Sequence, residues 1–374
     1  MTRELPIRVD SAASVPIATQ LAQQLGWLIA SARISEGDDL PPIRQVADQL
    51  GINLHTVRAA YQQLSADGLV SMGRGRRTRV LRYDRARATA SAINVPSFSF
   101  GVIIPSFVSF YEPLIRGVEA AASERPAMVY ICNADEDPAR AIAHLDRLVA
   151  RQVDGVILAG PLMHPDLADS RQAQPPAVFI DAPGAAFGVE FDLEEAQYAA
   201  THHLIEHGHE RIGYLSAPLD LVNVAPKLKG HERALVEGGI ADDPELVSVV
   251  PDFLIPSGEA GAHHLLDLAQ PPRAIAASSD SLALGAFHAI TSRGLRVPED
   301  IALVGNDDIE MASVIRPGLT TVSLPTEEAG RQAVALLEEM ISGTQPERSQ
   351  IVLETNLVIR SSCGCSHDDE VASS

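Results

Sequence analysis

Apolar residues in the N-terminal part of the chain recur every three or four positions. Ile17, Leu21, Leu25, Leu28 and Ile29 make one stripe, which predicts a helix within residues 15–34 with Trp27 in its core. Ile43, Val46, Ala47 and Leu50 make a second, shorter stripe behind Pro41-Pro42, whose missing N–H groups are harmless in a first helical turn. Gly51 can end that helix as a C-cap. Asn53 can cap a third, with Val57, Ala60, Tyr61 and Leu64 facing inward and Leu54, His55, Thr56 and Arg58 near its outward first turn. After Gly68 the pair Leu69-Val70 opens a hairpin that turns at Gly73-Arg74-Gly75. Two short helices joined by about three residues make a helix-turn-helix, in which the start of the second helix enters the major groove of DNA.

From residue 98 the period changes. Short β-rich apolar runs at 99–105, 128–132, 155–159, 177–181, 211–215, 246–250, 274–277 and 301–304 alternate with helical patterns, among them 112–124, 137–151 and 282–293. Strand-then-helix alternation predicts open parallel sheets with right-handed crossovers, and its two sets predict two lobes with a crevice between them. The fold class expected is therefore multidomain: an α+β winged helix-turn-helix, then an α/β domain of two lobes. Residues 82–97 are small, polar and aperiodic, which predicts a linker. The expected division is 1–81 for the head, 82–97 for the linker, 98–362 for the α/β domain and 363–374 for a tail. Ligands of such sheets sit beyond the carboxyl ends of strands, which selects Ser106, Asp181, Ser279-Asp280 and Asn306-Asp307-Asp308 by position.

Charge sharpens this division. Residues 1–87 hold 12 arginines, no lysine and 8 acidic residues, a net of +4; the remaining 17 basic and 41 acidic residues give −24, hence −20 for the whole chain. Five of the nine residues from Arg74 to Arg82 are arginine, so the basic face that phosphates require is concentrated at the hairpin. The first ten residues are polar and no apolar run approaches the ~20 residues that span a bilayer, so a cytoplasmic protein without a membrane partner is expected. Three cysteines, two of them near the C-terminus, fit a reducing compartment better than a disulfide framework.

The head resembles the winged helix-turn-helix of the GntR regulators, through P-x-I-R-x-x-A-x-x-L-G, T-V-R-x-A-Y, D-G-L-V and R-G-x-x-T-x-V between residues 41 and 80. The resemblance implies that Arg44 touches a phosphate or base, that Asn53, His55, Thr56 and Arg58 lie at the groove, and that Arg74, Gly75 and Arg76 form the wing tip. Leu54 stands where many relatives carry a polar residue.

The body resembles the effector domain of LacI/GalR regulators, itself similar to periplasmic sugar receptors. G-V-I-I-P, R-Q-V-D-G-V-I-L, H-L-I-E-H-G-H-E-R-I-G-Y-L, S-D-S-L-A-L-G-A, V-P-E-D-I-A-L-V-G-N-D-D-I and P-G-L-T-T-V carry the likeness between residues 101 and 322. It implies a small-molecule effector, a sugar or sugar derivative, held by Ser106, Phe110, Tyr111, Asp181, Lys227, Asp280 and Asn306. Lys227 replaces the family's usual arginine, Asn306 a usual aromatic, and Leu324 a glutamine. The order of the two modules is similar to that in repressors of arabinose utilisation. A homodimer on palindromic double-stranded operator DNA follows from the same resemblance, with Leu114, Ile115 and Val118 as local interface candidates.

Two motifs invite metal binding. His203 and His207 stand one helical turn apart in a cluster with His202 and His209, but no carboxylate or cysteine at metal spacing follows them. Cys363-Gly-Cys365-Ser-His367 has soft donors but lies in the expected tail. Neither is expected to hold a metal, and no cofactor is expected. Gly73-x-Gly75 opens no helix and is not a dinucleotide fingerprint, and neither a G-x-S-x-G elbow nor a P-loop occurs. A ligand-responsive repressor that is not an enzyme is therefore expected, ahead of an enzyme with a regulatory DNA-binding module or an exported solute receptor.

Overall fold

The computed structural model describes residues 7, 9, 16–30, 33–73, 77–82, 98–124, 127–160, 175–342, 346 and 348–365. The side chain of Trp27, the wing tip Arg74-Gly75-Arg76, the linker after Arg82 and the tail beyond Cys365 lie outside the described residues. The chain divides into two units, Met1–Ser97 and Phe98–Ser374.

In the first unit the predicted stripes become one core. Helices α1 (Ile17–Ala30), α2 (Ile43–Leu50) and α3 (Leu54–Ala66) bury Leu21, Leu25, Ile29, Val46, Val57, Ala60, Tyr61 and Leu64 together. Gly51 ends α2 in the left-handed region at φ 64°, which costs glycine little, and donates its N–H to Ala47 O. The Tyr61 hydroxyl donates to Pro41 O at 2.7 Å, which ties α3 to the segment that starts α2. Strands β1 (Val70–Ser71) and β2 (Arg79–Val80) pair antiparallel, and Val80 N also donates to Asp38 O, so the segment before α2 backs the hairpin.

The second unit opens with β3 (Phe98–Ile104), α4 (Tyr111–Ser123), β4 (Ala127–Asn133), α5 (Pro138–Ala150), β5 (Gly155–Ala159), β6 (Ala177–Ile180) and β7 (Gly188–Phe191). It continues through α6 (Leu193–Glu206), β8 (Ile212–Ser216), α7 (Ala225–Glu237), β9 (Val247–Val249), α8 (Ile255–Leu266), β10 (Ala274–Ala277), α9 (Asp280–Ser292) and β11 (Ala302–Val304). Helix α10 (Glu310–Val314), β12 (Thr321–Ser323), α11 (Thr326–Ile341), β13 (Gln350–Leu353) and β14 (Asn356–Val358) follow.

Two parallel sheets result, in the orders β13-β7-β6-β5-β3-β4 and β11-β10-β8-β9. Alternation along β3 explains its two coverings: Phe100, Val102 and Ile104 pack with Leu114 and Val118 of α4, while Ile103 packs with Leu145 and Leu148 of α5. The chain leaves the first sheet after β7, returns after β11 and leaves it again after β13, with β12 and β14 pairing antiparallel at the passage. The lobes are therefore joined by three segments, and the carboxyl ends of β3, β6, β8, β10 and β11 border the crevice.

Two expectations change here. Leu114 and Val118 are wholly buried against the first sheet and α11, so they are core residues and not an interface; only Ile115 of the three is partly exposed. Strand β13 escaped the sequence reading because its partner is β7, with Gln350 opposite Gly188, and local periodicity does not report a pairing across that separation. The expected tail of 363–374 begins with a residue of the core, since Cys363 is buried.

Candidate functional site

The head exposes most of the residues expected to face DNA, as the inward stripe requires. With Val57, Ala60, Tyr61 and Leu64 buried, His55 and Arg58 are exposed on α3, as is Arg44 on α2, and Thr56 is half-buried. Asn53 has a structural task, because its Oδ1 accepts the His55 N–H at 2.8 Å and caps α3. Leu54 is exposed at the same helix start. Of the wing arginines that are described, Arg79 Nε lies 3.3 Å from Asp39 Oδ1 and Arg77 Nη1 lies 3.8 Å from Asp39 Oδ2.

The second site is built where strands end. Asp181 follows β6 and Asp307 and Asp308 follow β11, and all three hold non-glycine left-handed backbone, with φ of 57°, 135° and 57°. Such conformations cost free energy and persist where the surroundings over-determine them, often at ligand sites. Helix α7 brings Lys227 in its first turn, with Asn223 just before it. Asn223 Nδ2 donates to Asp181 Oδ2 at 2.8 Å, Lys227 Nζ donates to Ser278 O at 2.8 Å, and Lys227 Nζ stands 3.8 Å from Asp307 Oδ1. Tyr111 lies under the crevice with its hydroxyl against Gly160, where a Cβ would come within 2.5 Å of it. Phe110 stands edge-on to Tyr111 and, with Asp307, Ile309, Leu324 and Thr326, lines a cavity of about 200 Å³.

Asp280 and Ser106 are placed differently from the expectation. Asp280 is fully buried, its Oδ1 accepts from Thr321 Oγ1 at 2.5 Å and its Oδ2 from Ile309 N at 2.9 Å, so it braces the returning segment before it can serve a ligand. Ser106 Oγ donates to Glu136 Oε1 at 2.5 Å. Asn306, expected to bind the effector, is wholly buried, and its backbone carbonyl accepts the Asp280 N–H at 2.8 Å.

One buried ammonium faces several carboxyls. Burial raises Asp181 to about 6, against the opposing pull of Lys227 and the Asn223 hydrogen bond. Burial raises Asp280 to about 6 as well, against its bonds from Thr321 and Ile309. Asp307 is pushed furthest, to about 8, by burial first, with Lys227 opposing and the Asp280 and Asp181 charges adding. Among the described residues, buried Asp181 Oδ1, Asn223 Oδ1, Ser278 Oγ and both side-chain polar atoms of Asn306 have no hydrogen-bond partner. Buried polar atoms are nearly always paired, so this cluster leaves hydrogen-bonding capacity around one crevice.

Comparison with known proteins finds relatives of both units. Residues 17–80 match the bacterial regulatory proteins of the gntR family, and residues 201–363 match the periplasmic binding protein-like domain. The HTH-type transcriptional repressor CytR of Escherichia coli (strain K12) is 32% identical over 266 residues, which cover 70% of this chain and 78% of that protein. The chain belongs to the LacI/GalR family of transcription regulators. The ribose operon repressor of the same organism is 32% identical over 269 residues, 70% of this chain and 80% of its own length. A solved complex of the transcriptional regulator CelR with cellobiose has a TM-score of 0.65 at 29% identity, covering 86% of this chain and 100% of that one. This LacI-family member is thus a ligand-responsive transcription regulator with a GntR-type DNA-binding head, and the relatives are regulators rather than enzymes. No described helix is long and apolar enough to cross a membrane.

Sequence reasoning left Asn223 out and gave Asp307 only as part of a run. For Asn223 no local signal existed, since it lies in the loop before α7 and meets Asp181 only through the fold. For Asp307 the alternation of side chains past β11 was the available signal, because Asp308 turns instead to Arg360, 2.6 Å away.

Proposed function

We propose that the regulator is a dimeric repressor whose effector is an uncharged polyhydroxy compound, a sugar or nucleoside, held between the lobes. The orphaned acceptors carry this reading. Asp181, Asp307 and Asn223 present oxygens to hydroxyl donors, Lys227 supplies one ammonium, and Phe110 and Leu324 offer apolar walls to the C–H face of a ring. A surplus of carboxyls over one ammonium disfavours a phosphate or carboxylate ligand, and Lys227 lacks the planar fork with which arginine grips an anion. The cellobiose in the CelR complex is a ligand of this chemistry. Arg44, His55, Thr56 and Arg58, with the wing tip Arg74, Gly75 and Arg76, are proposed to read each half of an operator, and Asn53 to hold α3 in place for that task. Exposed Met128 and Tyr130 on the edge strand β4, with Leu254 and Ile255 at the start of α8, are better dimer candidates than the buried face of α4.

A thermal-shift series on the full chain tests the effector class, since a ligand of the native state raises its apparent stability. Neutral sugars or nucleosides are expected to raise the melting temperature in wild type and not in Asp181→Asn. Stabilisation by phosphorylated sugars alone would overturn the reading.

A further inference from the structure

The two discounted motifs meet in space. His203 and His207 lie on one face of α6 and its C-cap, with ring centroids 4.6 Å apart. The chain returns to that face after β14, anchored by Arg360 N donating to Thr320 Oγ1 at 2.9 Å and by Ser362 Oγ donating to Leu303 O at 2.6 Å. Gly364 then adopts φ 99°, a left-handed turn that suits glycine and sets the neighbouring thiols 3.2 Å apart. Cys365 Sγ lies 3.4 Å from His203 Nε2 and 3.0 Å from His207 Nε2. The ligand atoms of His203, Cys363 and Cys365 are all within 4.8 Å of one another.

These are four nitrogen and sulfur donors from H-x3-H and C-x-C. In a tetrahedral site with metal–ligand distances of ~2.0–2.3 Å, neighbouring donor atoms stand about 3.3–3.8 Å apart, so the separations of Cys365 Sγ from Cys363, His203 and His207 need to open by only tenths of an ångström, while His207, exposed and outside the 4.8 Å group, must swing toward the other donors. We propose that His203, His207, Cys363 and Cys365 bind one zinc-class cation that pins the chain's C-terminal segment to α6. Mixed imidazole and thiolate ligation selects a borderline or soft ion over Mg²⁺ or Ca²⁺. The surroundings suit it: Cys363 and His203 are both buried, so bulk water has little access to those two donors. Thr320 Oγ1 donates to Cys363 Sγ at 3.1 Å, an outer contact that favours the thiolate. The ion would join α6, the first helix after the chain leaves the first sheet, to the segment that follows the third passage between the lobes, so it restrains one end of the hinge independently of the effector.

The test uses the full chain, reduced and stripped with chelator, titrated with Co²⁺ and then with Zn²⁺. Expected are a thiolate-to-cobalt charge-transfer band and intense tetrahedral d–d bands that saturate at about one equivalent and vanish when Zn²⁺ is added. Cys365→Ser and His207→Ala replace the two more accessible ligands and leave buried Cys363 and His203 in place. Each should lower Zn²⁺ affinity by at least about a hundredfold, because even the loss of an outer contact costs 10- to 100-fold. Zn²⁺ should also raise the melting temperature of wild type and of neither variant. No cobalt band in the reduced protein, or the same band and affinity in both variants, would overturn the site. So would a resting protein two mass units light that binds no metal after reduction, since Cys363 and Cys365 would then serve as a disulfide pair.

Discussion

Asp307 concentrates the electrostatic cost of the crevice. Its folded-state pKa of about 8 lies above the ordinary 3.8, so its contribution to stability is complete below the ordinary value and is lost as pH rises through 8. Asp181 and Asp280, both near 6, lose theirs earlier. Buried His231 and His203 act in the opposite sense: lowered from 6.5 to about 3 and about 4, they contribute above 6.5 and lose that contribution as pH falls. Between pH 6.5 and 8 the slope is therefore mainly that of Asp307. The effector unit is expected to melt at a lower temperature at pH 8 than at 6.5, and Asp307→Asn to flatten that difference; an equal slope in the variant would place the titrating group elsewhere. In the head, Arg58→Ala is expected to weaken operator binding by about 1–3 kcal/mol, the range of a good base or phosphate contact. Gel-shift titration at fixed salt measures it, and unchanged affinity would remove Arg58 from the interface.

Elements are held to one another here by close approach as much as by apolar area. Helices α4 and α11 cross where a Cβ at Gly117 would overlap the Glu327 carbonyl, and one at Gly330 would overlap the Leu114 carbonyl. Gly117→Val should push the helices apart and expose Leu114 and Val118, a loss of about 1–3 kcal/mol or more from overpacking. Denaturant unfolding of the variant checks this, with effector affinity as a second readout because α11 begins at Thr326 on the cavity wall. In the head the comparable element is the α3 start. Asn53→Ala removes the cap on His55 N, and a fall of about 0.5–2 kcal/mol in stability is expected from circular dichroism melts. A fall in DNA affinity with no fall in stability would instead assign Asn53 to the DNA.

At the scale of the molecule, the chain carries two units with separate cores, one around α1 to α3 and one spanning both sheets. Separate cores predict separate unfolding. Calorimetry of the full chain should show two transitions, and an effector should raise only that of the larger unit, because the orphaned polar atoms it would satisfy are all there. One transition that shifts as a whole would mean that the units unfold as one. The charge division matters at this scale too. With the acidic surplus confined to the body, operator affinity should fall steeply with salt, as it does wherever arginines displace counterions from phosphate.

Local order determined what was legible. Helical stripes, the proline and glycine boundaries, the Asn53 cap and the run of strand-then-helix units all depend on residues within a few positions of one another, and the sequence alone specified them. The motifs also picked out Asp181 and Lys227, which the fold sets against Asn223 and Asp307 respectively. Tertiary structure decided the rest. It set Asp307 3.8 Å from Lys227, turned both oxygens of Asp280 inward, moved Leu114 and Val118 into the core, and joined Gln350 to Gly188. It also set Cys365 beside His203 and His207, more than 150 residues away in the chain. The physical reason is common to all of these. A side chain's chemistry is local, but its partners and its access to water are set by which distant segments the core brings against it, and no periodicity in the chain encodes that.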